Sequence, residues 1–470
     1  MTDRPRRPHA ALAAFLSFVF PGLGQAYAGE GVLAAVFAAP VMLLLIGVVA
    51  LALFVGRVRN DVLSPTFLTG LAVLNLTLMA WRLASIILAG RRGLRAPRRL
   101  AAVTMLFVLV LGTVGMHAWA ATAIGQVSSA LDEVFAGGIS APGGGAGPLN
   151  RPEYRWDGTE RITFLLLGID AGAGRPEALT DTILVVSIDP VARKAVMISI
   201  PRDTGYLPLP DRTVYADGVY PWKINQLTTD ADRNPGQWCP DLAGDAAASC
   251  GLRTLERVVG LYVGIPVQYY ATVDLQGFAN LIDALGGVTL CLDGKLVDPE
   301  YGGPTWHGTG IELAAGCHQY DGPHALAYAR IRKGWMELPD GTREPQNDFK
   351  RADRQQVVML ALRQKLAQAD LIFALPPILR AVGRTVNTDF PRALAGDLAS
   401  LLPLITGPGI ERVVLGYPDF VDPPVDPLKN YLLIPRRNDI RTEMQRLFGA
   451  TLDGWYLGSD ARRPPAAGPA

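Results

Sequence analysis

Apolar residues crowd the first quarter of the chain and then recur in short, spaced runs. Residues 31–56 (GVLAAVFAAPVMLLLIGVVALALFVG) carry no charge inside their flanks and exceed the roughly 20 residues needed to span a bilayer. Residues 65–90 form a second candidate span, with Arg82 inside it and close enough to the arginine-rich end to snorkel there. Residues 100–124 form a third. The stretch ALAAFLSFVFPGLGQAYAG differs, because its apolar run lasts only about ten residues before Pro21. That is too short to span, and it predicts a re-entrant or interfacial hairpin within residues 1–30. Further spans follow it, so it does not have the layout of a cleaved signal peptide.

Basic residues orient these segments. Arg4, Arg6 and Arg7 precede the first apolar run, and Arg91, Arg92, Arg95, Arg98 and Arg99 separate the second and third spans. Only Arg57 and Arg59, offset by Asp61, lie between the first two. Three spans within residues 31–124, with the N-terminus inside, put both basic groups in the cytoplasm and the remainder outside. A four-span arrangement would return residues 125–470 to the cytoplasm; the three-span arrangement is the one expected.

Residues 125–160 include APGGGAGPLNRPE, a Gly/Pro-rich linker, and folded structure is expected over 161–458. RITFLLLGID, TDTILVVSID and KAVMISIPRD read as strands, the last two joined through Asp189-Pro190 as an antiparallel hairpin. Strands apolar at nearly every position are buried on both faces, which calls for a sheet covered by helices. LRTLERVVGLYVG reads as a helix, VQYYATVD as a strand, LQGFANLIDALG as a helix ending at Gly286-Gly287, and VTLCLD as a strand. Helical patterns then dominate through HALAYA, RADRQQVVMLALRQKLAQA, ALPPILRAVG and RALAGDLASLLPLI; GIERVVLGYP returns as a strand and NDIRTEMQRLFG closes as a helix. The tail, residues 459–470, has the composition of a disordered segment. The fold class expected is α/β: a three-layer extracytoplasmic domain with a mixed central sheet flanked by helices, preceded by an α-helical membrane region.

Composition changes this picture little. The 470 residues include 44 basic and 43 acidic side chains, a formal net charge of +1, so there is no nucleic-acid footprint. Cys239, Cys250, Cys291 and Cys317 form no CxxC and do not combine with histidines at zinc-site spacing. An even number in the later part of the chain fits two disulfides outside the cytosol, Cys239 with Cys250 across a short loop and Cys291 with Cys317 by elimination. Four buried thiols are the alternative.

Candidate chemistry gathers at strand ends and in one arginine-rich stretch. Asp170 ends the first strand and Asp181 begins the second; strand ends of α/β sheets are where ligands bind, and two such aspartates suit magnesium with phosphate oxygens. Each could instead cap a turn. Arg202 and Asp203 follow the third strand, and Lys223 with Asn225 marks a helix start that favours anions. From Leu326 to Gln356, Arg330 and Arg332 are two apart, whereas Arg351, Arg354 and Gln355 lie along one helical face. Guanidinium forks match phosphate oxygens, so these groups suit a di- or polyphosphate pocket. The interleaved Glu337, Asp340, Glu344, Asp348 and Asp353 allow a solvated, ion-paired surface instead. The chain has no P-loop, no GxGxxG opening a helix and no GxSxG.

In order, LLLGID, LTDTILVVSID, ISIPRDT, KINQ, FANLIDALGGV, GPHALAYARIRK and DFKRADRQQ resemble the LytR-CpsA-Psr family over about residues 160–370. The resemblance implies a membrane-anchored, extracytoplasmic phosphotransferase that moves a glycan phosphate from a polyprenyl-pyrophosphate-linked donor onto peptidoglycan or a similar wall acceptor, with Mg2+. Most members of the family have a single membrane span, whereas this chain has about three plus the hairpin, so a multi-pass protein of the cell membrane is expected here. By matching position, Asp170 and Asp181 would be metal-associated; Asp181, Arg202, Asp203, Arg330 and Arg332 catalytic; and Lys223, Asn225, Arg351, Arg354 and Gln355 substrate-binding. Leu179 stands where the family commonly has an arginine, with Arg175 as a possible substitute, and the insert between Arg332 and Asp348 is longer than expected. The SxxxPGLGQxYxG stretch resembles small membrane modules. A non-catalytic lipid-diphosphate-binding regulator and a polyprenyl-diphosphate pyrophosphatase are the alternatives.

Overall fold

The computed structural model describes residues 9–53, 64–91, 99–135, 156, 158–170, 179–210, 212–240, 250–302, 306, 308–368, 378, 386–401, 410–423 and 431–449. Most of the linker expected over 125–160 lies outside them, as do Arg175, nearly all of ALPPILRAVG and the tail, whereas residues 125–134, counted with that linker, continue the helix that begins at Arg99. The chain divides into two compact units, residues 1–129 with 393–396, and the rest.

The first unit is helical: α1 (Ala10–Val19), α2 (Leu23–Tyr27), α3 (Gly31–Leu53), α4 (Pro65–Gly90) and α5 (Arg99–Val134). Two described helical stretches, Pro65–Gly90 and Ala102–Val134, are long and apolar enough to cross a membrane. The first expected span is helical over Gly31–Leu53, with Pro40 inside it, and its last residues lie outside the described ones. α1 is ten residues long and stops at the PGLGQ turn. The turn's sequence follows from close packing. Gly22 has φ +99°, and a Cβ on it would meet Ala34 O at 2.5 Å; one on Gly24 would meet Ala13 O at 1.9 Å. Gln25 is fully buried, its amide donating to Ser85 O at 2.9 Å and accepting from Ser17 Oγ at 2.9 Å. Arg82, inside the second expected span, is tied to the end of α1. Its Nη2 donates to Phe18 O at 2.6 Å, satisfying a carbonyl that the end of α1 leaves open.

The second unit is built on a six-stranded mixed sheet in the order β13-β6-β1-β2-β3-β14. Its strands are β1 (Ile162–Asp170), β2 (Leu179–Asp189), β3 (Lys194–Ser199), β6 (Tyr269–Asp274), β13 (Val386–Thr388) and β14 (Ile410–Val414). β1, β2 and β3 run antiparallel in turn, so the hairpin expected at Asp189-Pro190 is present; β1 with β6 and β3 with β14 pair in parallel. Short strands make up the remainder: β4 (Leu207–Pro208), β5 (Val219–Tyr220), β7 (Val288–Leu292), β8 (Lys295–Asp298), β9 (Ile311–Leu313), β10 (Gly316–Tyr320), β11 (Trp335–Glu337), β12 (Arg343–Pro345), β15 (Val421–Asp422) and β16 (Ile434–Pro435). The principal helices are α6 (Leu227–Arg233), α7 (Pro235–Trp238), α8 (Cys250–Val263), α9 (Leu275–Ala284), α10 (Gly322–Arg330), α11 (Asp348–Gln368) and α12 (Arg437–Phe448).

Strand alternation sorts the layers. Leu165, Leu167, Ile183, Val185 and Ile198 join Val258 and Val259 of α8 and Ile440 and Met444 of α12 in one core. Leu166 and Leu184, on the other face, look toward α9, α10 and α11, whose own packing forms a second core with β7. Side chains buried on both faces are why the strands read as almost unbroken apolar runs. Both disulfides expected from the sequence are present, Cys239–Cys250 and Cys291–Cys317, the latter joining directly opposed residues of β7 and β10. The long insert after Arg332 is ordered too: β11 and β12 form a hairpin that β11 joins to β8.

Candidate active site

The site begins at a β-bulge. β1 and β2 pair Gly168 with Thr182 but Ile169 with Thr180, leaving Asp181 as the extra residue on β2. A bulge re-aims a side chain that strict alternation would send into a sheet face. Gly168 is required opposite it, since a Cβ there would lie 2.8 Å from Thr182 Oγ1.

The loop after β3 meets this bulge. Arg202 Nη1 donates to Asp181 Oδ1 at 2.7 Å, and Lys223 Nζ donates to Asp203 Oδ1 at 2.7 Å. The loop is fixed by its backbone: Ile224 N donates to Thr204 O, and Asn225 N to Arg202 O. Asn225 is buried, and its Oδ1 finds no hydrogen-bond partner among the described residues. From the other side comes α11, whose first turn is capped by Asn347 accepting from Lys350 N at 2.9 Å. Arg351 in that turn donates to the Asp181 carbonyl at 3.3 Å and pairs with Asp348 at 3.1 Å. Burial opposes the charge on Arg202, but Asp181, Asp348 and Asp203 outweigh it and hold its pKa above the ordinary value. For Arg351 burial prevails and, with Arg202 nearby, lowers the pKa despite Asp348.

The remaining sequence candidates divide. Arg354 is buried beneath the site: Nε donates to Tyr328 O at 2.8 Å, and the other two nitrogens to Gln346 Oε1 and Ile331 O. This arginine braces the end of α10 from within the fold, and burial lowers its pKa to about 10. Gln355 donates to Ala329 O at 3.3 Å. Arg330 ends α10 beside Tyr301, and Arg332 follows on exposed, non-helical chain. The backbone of Asp170 pairs with that of Leu179; both side chains lie outside the described residues.

An apolar cavity of about 210 Å³ adjoins these charges. It lies between the sheet and the three helices on that face, with Leu166, Leu184, Phe278, Leu326, Met359 and Leu362 among its walls. Thr182, next to Asp181, and Gln355, one turn on from Arg351, also line it, as does Arg330. Two features escaped the sequence reading. Gln356 is buried and donates to Ser199 Oγ and Val413 O, each at 2.9 Å, fastening α11 to the sheet. Tyr431, whose ring lies 5.9 Å from Lys223 Nζ, is signalled only by opening the apolar run YLLIP.

Magnesium has a limited fit here. Among the described residues no three His, Cys, Asp or Glu side chains cluster as a metal cage. Magnesium commonly takes only one or two carboxylates plus substrate phosphates, and the Asp181 carboxylate and the Asn225 oxygen, which has no partner among the described residues, are donors of that type.

The model of the LytR_cpsA_psr family matches residues 148–415, more than half of the chain. "Regulatory protein MsrR" of Staphylococcus aureus is 29% identical over 235 residues, which cover 49% of this chain and 57% of that protein. The chain therefore spans less than two thirds of that relative. A "Polyisoprenyl-teichoic acid--peptidoglycan teichoic acid transferase TagU" of Halalkalibacterium halodurans is 27% identical over 257 residues, 52% of this chain and 70% of that protein. Among solved structures, B. subtilis TagV aligns at 22% identity with a TM-score of 0.44, covering 61% of this chain and 97% of that one. A structure described as "TagT bound to LIIa-WTA" aligns at 21% identity with a TM-score of 0.42, covering 63% and 94%.

Proposed function

This chain belongs to the LytR_cpsA_psr family, and we propose that it is a membrane-anchored phosphotransferase. It would move a glycan phosphate from a polyprenyl-pyrophosphate-linked donor to peptidoglycan or a similar wall acceptor. The observation that carries this reading is the apolar cavity opening beside a cluster of cations. An isoprenoid tail needs an apolar enclosure, its diphosphate needs fixed donors, and here Thr182 and Gln355 belong to the cavity wall while their neighbours belong to the clamp. The name of the TagU relative supports the same chemistry. The two long apolar helices of the first unit support anchoring, and a third span over Gly31–Leu53 belongs to the proposal.

In the proposed reaction an acceptor hydroxyl oxygen attacks the sugar-proximal phosphorus. A new P–O bond forms, the bridging P–O bond breaks, and polyprenyl phosphate leaves with the bond's electron pair. Arg202 and Arg351 hold the diphosphate oxygens, with Arg330 at the cavity end and Lys223 beside Asp203. Asp181, more accessible than Asp203, receives the hydroxyl proton as Arg202 exchanges its carboxylate for phosphate. At rest Arg202, Lys223 and Arg351 are matched by Asp181, Asp203 and Asp348, so the clamp enters the reaction charge-balanced. Asp181 and Asn225, with Asp170 at the adjoining strand end, would hold magnesium, which when bound supplies positive charge to the diphosphate.

The test is reconstitution. The purified protein is incubated with magnesium, a polyprenyl-pyrophosphate sugar and peptidoglycan fragments, and phosphodiester-linked product is measured. Release of sugar phosphate and polyprenyl phosphate without any phosphodiester-linked product would identify a pyrophosphatase. Lipid binding without any turnover would identify the regulator that the MsrR name suggests.

A further inference from the structure

We infer that Tyr431 is a stacking platform for a pyranose ring of the glycan that enters this site; the inference rests on the phosphotransferase reading and specifies where its sugar sits. Tyr431 begins the segment YLLIP, which lies beyond the 148–415 family match. The segment is firmly anchored. Leu433 N donates to Asp203 O at 2.9 Å, and Gly205 N donates to Leu433 O at 3.0 Å, so it pairs with the loop that carries Arg202 and Asp203. Leu432 and Leu433 are buried, and a Cβ on Gly205 would lie 2.5 Å from the Leu432 side chain. Glycine at 205 is thus what allows the two segments to close together.

Against that anchoring, the exposure of Tyr431 is notable: 44% of it faces solvent although both following leucines are inside. Its ring is oriented from below by Lys223, whose Nζ lies 5.9 Å from the centroid, within cation–π range. The ring is thus held at the surface against a lysine that pairs with the Asp203 carboxylate. Burial, then Asp203 and Asp348, raise the Tyr431 pKa, which agrees with its hydroxyl being near the carboxylates. An aromatic face offers a sugar ring's C–H groups a flat apolar surface, while the hydroxyl and the neighbouring carboxylates accept from its O–H groups. The phosphate of either donor or acceptor glycan would then be delivered next to Arg202.

The test measures binding to the full-length protein in detergent with three probes: a sugar-free polyprenyl diphosphate, a polyprenyl-diphosphoryl disaccharide, and a soluble peptidoglycan disaccharide fragment. Tyr431→Ala should hold the sugar-free lipid within about twofold of wild type and lose roughly three- to tenfold for at least one sugar-bearing probe. Tyr431→Phe and Tyr431→Trp should retain that binding. Loss on the lipid-linked probe assigns the ring to the donor, and loss on the soluble fragment assigns it to the acceptor. Equal losses with and without sugar, or none on either sugar probe, overturn the inference. Failure of the wild type to bind the sugar-free lipid overturns the phosphotransferase reading instead, and the soluble fragment still decides the platform.

Discussion

Filling the apolar cavity separates a lipid site from a packing fault. An open apolar cavity of about 210 Å³ leaves its walls short of packing partners, which an isoprenoid chain would supply. Ala329, buried on α10 and lining the cavity, is the place to intrude. Ala329→Leu adds three carbons to that wall. The protein should melt at or above the wild-type temperature, because a void shrinks. An isoprenoid chain should bind about 50-fold more weakly, from three methylene equivalents displaced at ~0.8 kcal/mol each. Thermal melting and titration with a polyprenyl diphosphate give both readings, and inorganic pyrophosphate, which has no tail, should bind unchanged. A lower melting temperature with unaltered lipid affinity would refute the reasoning and make the cavity an ordinary flaw in packing.

Three further outcomes follow from the same contacts. Arg202→Ala should cut transfer about 10²- to 10³-fold while the melting temperature stays near wild type, whereas Arg354→Met should destabilise by about 3 kcal/mol in denaturant unfolding, because Tyr328 O and Ile331 O lose their buried donor. Burial pushes the Asp389 carboxyl up to about 7, with Tyr270 N–H and Arg253 pulling the other way, and burial beside Asp389 raises Glu256 well above the usual range. The unfolded carboxyls release their protons near pH 4 and the folded ones later, so stability should fall as pH rises from about 4 to about 7. Asp389→Asn should flatten that part of a melting-temperature profile, and parallel profiles would argue against a shared buried charge. In the first unit Gln25→Leu should cost about 1–2 kcal/mol in detergent, seen as a lower melting temperature, since Ser85 O and Ser17 Oγ lose their partner.

Much of the sheet was legible because burial on both faces writes itself into composition: LLLGID and TILVVSID could only be central strands, and the Asp189-Pro190 turn joined β2 to β3. The aspartates and PRD were legible as residues at strand ends. Their convergence was not. The bulge that frees Asp181 is a matter of register between β1 and β2, and register depends on the partner strand as much as on the strand itself. Tyr431 was hidden for a related reason. It reaches Lys223 only because Leu433 pairs with Thr204, more than two hundred residues away in sequence. Gly22 and Gly24 marked a tight turn, but the need for both came from the backbone of α1 and α3, which local spacing does not reveal.

The arginine-rich stretch shows how spacing can be right and roles still differ. Arg351 and Arg354 do come from neighbouring positions on α11, yet one turns to the Asp181 carbonyl and the other to the end of α10. Arg354 spends its donors on Tyr328 O, Ile331 O and Gln346, the first two flanking Arg330 and the last following the β11–β12 hairpin. One buried guanidinium therefore sets where α10 stops and where the insert returns to α11. Arg330 reaches the cavity because the helix ends where Arg354 holds it, and Arg332 escapes to solvent because the chain after Ile331 is no longer helical. An acidic, ion-paired surface and a phosphate pocket were alternatives in the sequence; in the fold the acidic residues do pair, Glu344 with Lys350 and Asp348 with Arg351, and the second pair reaches the Asp181 carbonyl through Arg351. The consequence is an asymmetry between two adjacent arginines of the same helix: loss of Arg351 should be felt by the ligand, and loss of Arg354 by the fold that delivers Arg330 and Arg351 to it.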